Sequence, residues 1–174
     1  MIVEAAKVAV LMFVAAILQA SIFSSVTILD GTPDLLVVTL VAVALLRGSV
    51  AGSAAGFCAG FILDTAYLET LGLTSLLLTI TGYWIGRYGE TTGRDRSHAP
   101  FLAVAVVTFL YALGWLALRF ILDEPAPAQV VLLETLFQGI ALNLILTVPV
   151  YGLCRRLLRP HTRPERAEEV RLLG

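Results

Sequence analysis

Between Val8 and Leu29 the chain runs for 22 residues without a charged side chain, and comparable runs recur to near its end. A helix needs about 20 apolar residues to cross a hydrocarbon core of roughly 30 Å. Runs this long predict membrane-crossing helices. Composition supports the inference: 58% of the 174 residues are hydrophobic and 14% are charged, against roughly 25% charged in a soluble domain. The first run follows Glu4 and Lys7 and passes Gln19, Ser21, Ser24 and Ser25 without a small-x-small cleavage site. It reads as an uncleaved span rather than a secretory signal.

After the turn Asp30-Gly31-Thr32-Pro33-Asp34, the chain is apolar from Leu35 to Leu63 except at Arg47-Gly48. One helix over that stretch would be about 43 Å long and would bury Arg47 near mid-membrane at a cost of roughly 2.5 to 3.5 kcal/mol. Two helices turning at Arg47-Gly48 avoid the cost. The expected architecture is therefore an all-α polytopic membrane protein with six transmembrane helices, at 8–29, 33–46, 48–63, 71–86, 99–122 and 130–153, with a basic tail over 155–174. The second and third spans are short and are expected to pack inside the bundle.

Charge placement gives the expected orientation, because lysine and arginine collect in cytoplasmic loops. With both termini cytoplasmic, eleven of the twelve basic residues lie inside: Lys7, Arg47, Arg87, Arg94, Arg96, Arg155, Arg156, Arg159, Arg163, Arg166 and Arg171. The outer turns carry acids: Asp30 and Asp34, Asp64 and Glu69, Asp123 and Glu124.

Within the third span Gly48, Gly52, Gly56 and Gly60 fall four apart, beside Ala51, Ala55 and Ala59. Residues at that spacing share a helix face, on which another backbone can approach closely. Two readings stay open: packing against a neighbouring helix of the same chain, or a seat for a partner's helix. Gly82 and Gly86 repeat the spacing in the fourth span, and Ala16 and Ala20 in the first.

Arg119 and Glu134 lie about one turn below the outer ends of the fifth and sixth spans, so an ion pair between antiparallel neighbours is expected. A polar ligand site and a separate snorkelling arginine are the alternatives. Gln138 and Asn143 are expected to bond to neighbouring helices, and Pro149 to kink the sixth. Arg155, Arg156, Arg159 and Arg163 form a basic anchor on membrane lipids, at about 1 kcal/mol each on an anionic leaflet. A docking role for cytoplasmic filaments or enzymes is the other reading.

Several functions are disfavoured. His98 and His161 fall on the side opposite Asp64 and Glu69, so no histidine–carboxylate catalytic site assembles across the bilayer. There is no phosphate-binding G-x-x-x-x-G-K-[ST] loop, no metal-ligand cluster and no implied cofactor. Cys58 and Cys154 read as packing residues. A net charge of −1 with no basic domain gives no nucleic-acid partner.

The segments L-Q-A-S-I-F at Leu18 to Phe23, P-D-L-L at Pro33 to Leu36, A-L-L-R-G at Ala44 to Gly48, A-G-F-C-A-G-F-I-L-D at Ala55 to Asp64 and L-G-L-T-S-L-L-L-T-I-T-G-Y at Leu71 to Tyr83, in this order and spacing, resemble the rod shape-determining MreD family. The resemblance covers about Leu18 to Arg87. It implies a non-enzymatic subunit of the bacterial cell-elongation machinery in the inner membrane. The partners it implies are MreC, filaments of the actin-like MreB, and the synthase RodA with its class B penicillin-binding transpeptidase; a homodimer is left open. The family is also similar in fold to the substrate-binding subunits of energy-coupling-factor vitamin transporters. That similarity supplies the alternative function, a vitamin-capturing subunit docking through faces such as Ala16-x-x-x-Ala20.

Overall fold

The structure, a computed structural model, describes residues 2–23, 32–68, 71–92, 98–122 and 129–158, with residues 2, 92, 119 and 129–135 described in backbone only. The described residues form six helices and no strand: α1 (Ile2–Ser21), α2 (Leu35–Arg47), α3 (Ser49–Tyr67), α4 (Leu73–Thr92), α5 (Ala99–Ile121) and α6 (Gln129–Leu157). Four of them contain stretches long and apolar enough to cross a membrane: Val3–Ser21, Ser49–Tyr67, Ala99–Leu118 and Leu136–Leu157.

The shortest helix organises the rest. α2 reads LLVVTLVAVALLR, apolar on every side until its last residue, and a helix of that kind is stable only when surrounded. Leu36 through Leu45 are all buried, and each of the other five helices packs against α2. Its one mid-helix polar group, the Thr39 hydroxyl, donates to the Leu35 carbonyl at 2.7 Å. The outer helices turn large apolar side chains away from this core, among them Phe13 and Ile17 of α1, Phe57 and Phe61 of α3, and Phe109 and Leu113 of α5. Such faces suit acyl chains and would be a liability in water.

The apolar stretch Leu35–Leu63 divides into α2 and α3, which meet at one residue. Gly48 has φ 91° and ψ −176°, a backbone state open essentially to glycine alone. Its N–H donates to the Ala44 carbonyl at 2.8 Å and its carbonyl accepts from Gly52 at 3.0 Å, so neither helix end loses those bonds at the break.

Helix ends differ from the expected spans in several places. α1 begins at Ile2 rather than Val8, because Glu4 and Lys7 pair one turn apart at 3.1 Å and join the helix. It ends at Ser21, and the remainder of the expected span, residues 24–29, lies outside the described residues. α4 continues past Gly86 to Thr92, and α6 runs through Pro149 to Leu157. Arg155 and Arg156 in its last turn complement the negative end of the helix dipole.

Candidate functional site

α3 and α4 form a tight antiparallel hairpin whose contact face is made of backbone. A Cβ added to Gly52 would overlap the Gly82 carbonyl, one on Gly56 the Leu78 carbonyl, and one on Gly60 the backbone of Ser75. From the other side, a Cβ on Gly82 would overlap the Gly52 carbonyl and one on Gly86 the backbone of Ser49. Lipid supplies no hydrophobic drive between helices, so dispersion across such close approaches and interhelical hydrogen bonds must hold them together. One such bond is present: the Ser75 hydroxyl donates to the Phe57 carbonyl at 3.0 Å. The glycine face of α3 is thus occupied by α4, while Gly48, at its start, meets the side chain of Glu90.

A carboxylate closes each end of this hairpin. At one end Asp64, 1% exposed in the last turns of α3, accepts N–H bonds from Gly72 at 2.8 Å, Thr74 at 3.2 Å and Ser75 at 3.3 Å. These amides open α4, where no intrahelical acceptor exists for them. At the other end Glu90, in the last turn of α4, accepts from the Ser49 amide at 2.8 Å and the Ser49 hydroxyl at 3.1 Å, at the start of α3. The Ser49 bonds, with a lesser contribution from Arg87 at 3.3 Å, hold the Glu90 carboxyl below its ordinary range. Each helix therefore caps the other. Neither cap is visible in the sequence, where Asp64 marks an outer turn and Glu90 carries no signal, because a cap contributed by a different helix leaves no local spacing to read.

A second polar cluster surrounds the start of α2. Asp34 caps it, with Oδ1 accepting from the Val37 amide at 2.9 Å. The free amides before the helix are bound from outside it: Leu35 N–H donates to Gln19 Oε1 at 2.8 Å, and Asp34 N–H to Asn143 Oδ1 at 2.7 Å. Asn143 Nδ2 donates to the Thr108 hydroxyl at 3.1 Å. One polar residue each from α1, α5 and α6 thus converges on the first turn of α2, beside a cavity of about 190 Å³.

Near the other end of α2, Arg47 bonds to Glu4 of α1, which also holds Lys7. Cys154 is buried as expected of a packing residue, but Cys58 is exposed, because it lies on the side of α3 turned away from α4. Arg155 and Arg156 are exposed at the end of α6, whereas Arg159 and Arg163 lie outside the described residues. The side chains of Arg119 and Glu134 also lie outside them, so their pairing is not among the contacts described. Among the described residues no three histidine, cysteine or acidic side chains gather as a metal site would require.

These features define a polytopic all-α membrane protein whose described buried polar groups are largely committed to holding helix ends. The chain belongs to the MreD family: the model of that family, rod shape-determining protein MreD, matches residues 3–157. No curated protein and no solved structure matches it. Membership connects the chain to the determination of rod shape in bacteria.

Proposed function

We propose that this chain is a non-enzymatic scaffold of the cell-elongation complex in the bacterial inner membrane, with both termini cytoplasmic. In this role it brings MreC together with RodA and its class B penicillin-binding transpeptidase, in reach of MreB filaments. The family match over residues 3–157 is the observation that carries the reading. It is supported by the polar chemistry of the bundle, where Asp64, Gln19 and Asn143 in the interior and Glu90 at an exposed helix end all bind backbone groups of a neighbouring helix or its approach. Outward apolar faces such as Phe57 and Phe61 are suited to helix contacts with partners.

On the same reading Gly48, Gly52, Gly56, Gly60, Gly82 and Gly86 serve packing within the chain. Arg119 and Glu134 form a structural pair between α5 and α6. Arg155, Arg156, Arg159 and Arg163 rest on the anionic inner leaflet. Co-purification of the tagged chain from rod-shaped cells in mild detergent tests the proposal. MreC and the synthases should be recovered together; recovery of nucleotide-binding transporter subunits or a tightly held vitamin in their place would overturn it.

A further inference from the structure

The α3 glycine face is filled by α4, but the opposite face of α3 is only partly covered. There α1 and α3 leave between them an apolar groove of about 860 Å³, lined by side chains such as Val8, Met12, Phe13, Ala54, Cys58 and Ile62. That volume falls within the roughly 300–1,000 Å³ of cavities that take small ligands. Glu4 and Arg47 stand at one end of it.

Its length restricts the occupant. The lining runs from Glu4 to Phe13 on α1 and from Ala51 to Ile62 on α3, which at 1.5 Å per residue is about 14 and 17 Å. One leaflet of a hydrocarbon core of roughly 30 Å is about 15 Å deep. A partner's transmembrane helix would call for a seam across both leaflets, whereas a lipid of a single leaflet fits from its headgroup to the end of its chain.

The charges at the mouth point to the headgroup. Glu4 lies between Lys7 and Arg47 and bonds to both, leaving one net positive charge. Arg47 Nε is buried and has no hydrogen-bond partner among the described residues, and a buried donor left without an acceptor costs about 1–3 kcal/mol. A phosphate oxygen is a suitable acceptor, since the guanidinium fork matches phosphate geometry. We propose that the α1–α3 groove binds an anionic glycerophospholipid of the leaflet at the arginine-bearing end, with an acyl chain between Phe13 and Cys58 and the headgroup phosphate at Arg47, where Lys7, bonded to Glu4, adds positive charge from outside the lining. This does not depend on which elongation proteins the chain assembles with, because the purified chain alone should bind the lipid.

The test uses the full chain in phosphatidylcholine nanodiscs doped with phosphatidylglycerol carrying a photoreactive diazirine near its chain terminus. After irradiation, adducts should map to the groove-lining stretches of α1 and α3. Unlabelled phosphatidylglycerol should compete at least fivefold more effectively than phosphatidylcholine. Arg47→Gln, which acts on the headgroup, and Ala54→Phe, which narrows the groove one turn in from Ala51, should each reduce these adducts severalfold while adducts on the outer face of α5 stay constant as a measure of folded, embedded protein. Should one variant fail to fold, the other still reads the groove. The proposal is overturned if the phosphatidylcholine probe labels the groove equally, if α1 and α3 are labelled no more than α5, or if a correctly folded variant leaves the adducts unchanged. Cross-linking of Cys58 to a partner's helix with exclusion of the probe would also overturn it, in favour of a protein occupant.

Discussion

Single residues in this protein matter chiefly through the helix ends they terminate. Asp64 is buried and holds three amides at the start of α4, so Asp64→Ala leaves donors without an acceptor at a cost of about 1–3 kcal/mol. Asp64→Asn keeps one acceptor oxygen and should lose less. Thermal melting in detergent, followed by size-exclusion chromatography, should rank wild type above Asn above Ala; an Ala variant melting with wild type would mean that these bonds contribute nothing. Glu90 adds a pH dependence. Its carboxyl is depressed in the folded state, chiefly by the Ser49 bonds, so its stabilising effect is complete above the ordinary value of 4.5 and is lost as pH falls through the lowered one. Glu90→Gln should therefore melt less steeply with acidification than wild type below about pH 4.5, and equal acid limbs would remove Glu90 from the account. Neither role was legible in the sequence. Asp34 is different in kind: it stands three residues before the Val37 amide that it caps, inside the short window where local spacing carries the information, although the sequence marks it only as part of a turn and an outer acid.

Elements were more legible than residues, because apolar length and a glycine at fixed spacing are properties of a segment. The division at Arg47-Gly48 followed from the cost of burying a guanidinium, and the break does fall there, with Arg47 bonded to Glu4. Inside packing was expected of both short spans; it holds for α2, whereas α3 turns Val50, Phe57 and Phe61 outward. Which helix would meet the α3 glycines was not legible, since four-residue spacing specifies a face but not its occupant. The structure puts α4 there, so a side chain at that face must separate two backbones. Gly56→Leu should abolish accumulation of folded protein, its Cβ alone overlapping the Leu78 carbonyl. Gly152 has open space around the position of a Cβ, and Gly152→Ala should preserve folding and raise the melting point slightly, as the better helix former by roughly 0.5–1 kcal/mol. Fluorescence-detected size exclusion of tagged variants separates the two cases. A monodisperse Gly56→Leu protein would show that α3 and α4 can part without loss of the fold.

For the whole molecule, the arrangement of charge is the strongest constraint on orientation, and the structure gives it a spatial form. The Glu4–Arg47 and Ser49–Glu90 bonds bring the start of α1, the α2–α3 junction and the end of α4 to one end of the bundle. The Gln19–Leu35 bond joins the end of α1 to the start of α2 at the other. Lys7, Arg47 and Arg87 therefore share an end, as the positive-inside rule requires of cytoplasmic segments. Orientation can be tested without disturbing a cap. Asp34 is unsuited to replacement because it caps α2, but Thr32 and Leu71 are exposed near the acid-bearing turns, and Arg87 and Arg155 are exposed at the basic ends of their helices. In a background carrying Cys58→Ser and Cys154→Ala, a membrane-impermeant maleimide should label Thr32→Cys and Leu71→Cys in intact cells. Arg87→Cys and Arg155→Cys should react only after permeabilisation. Labelling of Arg87→Cys in intact cells would place the start of α1 outside as well, since the bonded ends cannot lie on opposite sides of the membrane. The proposed lipid groove would then open to the outer leaflet, and the basic tail would lose the anionic surface proposed to anchor it.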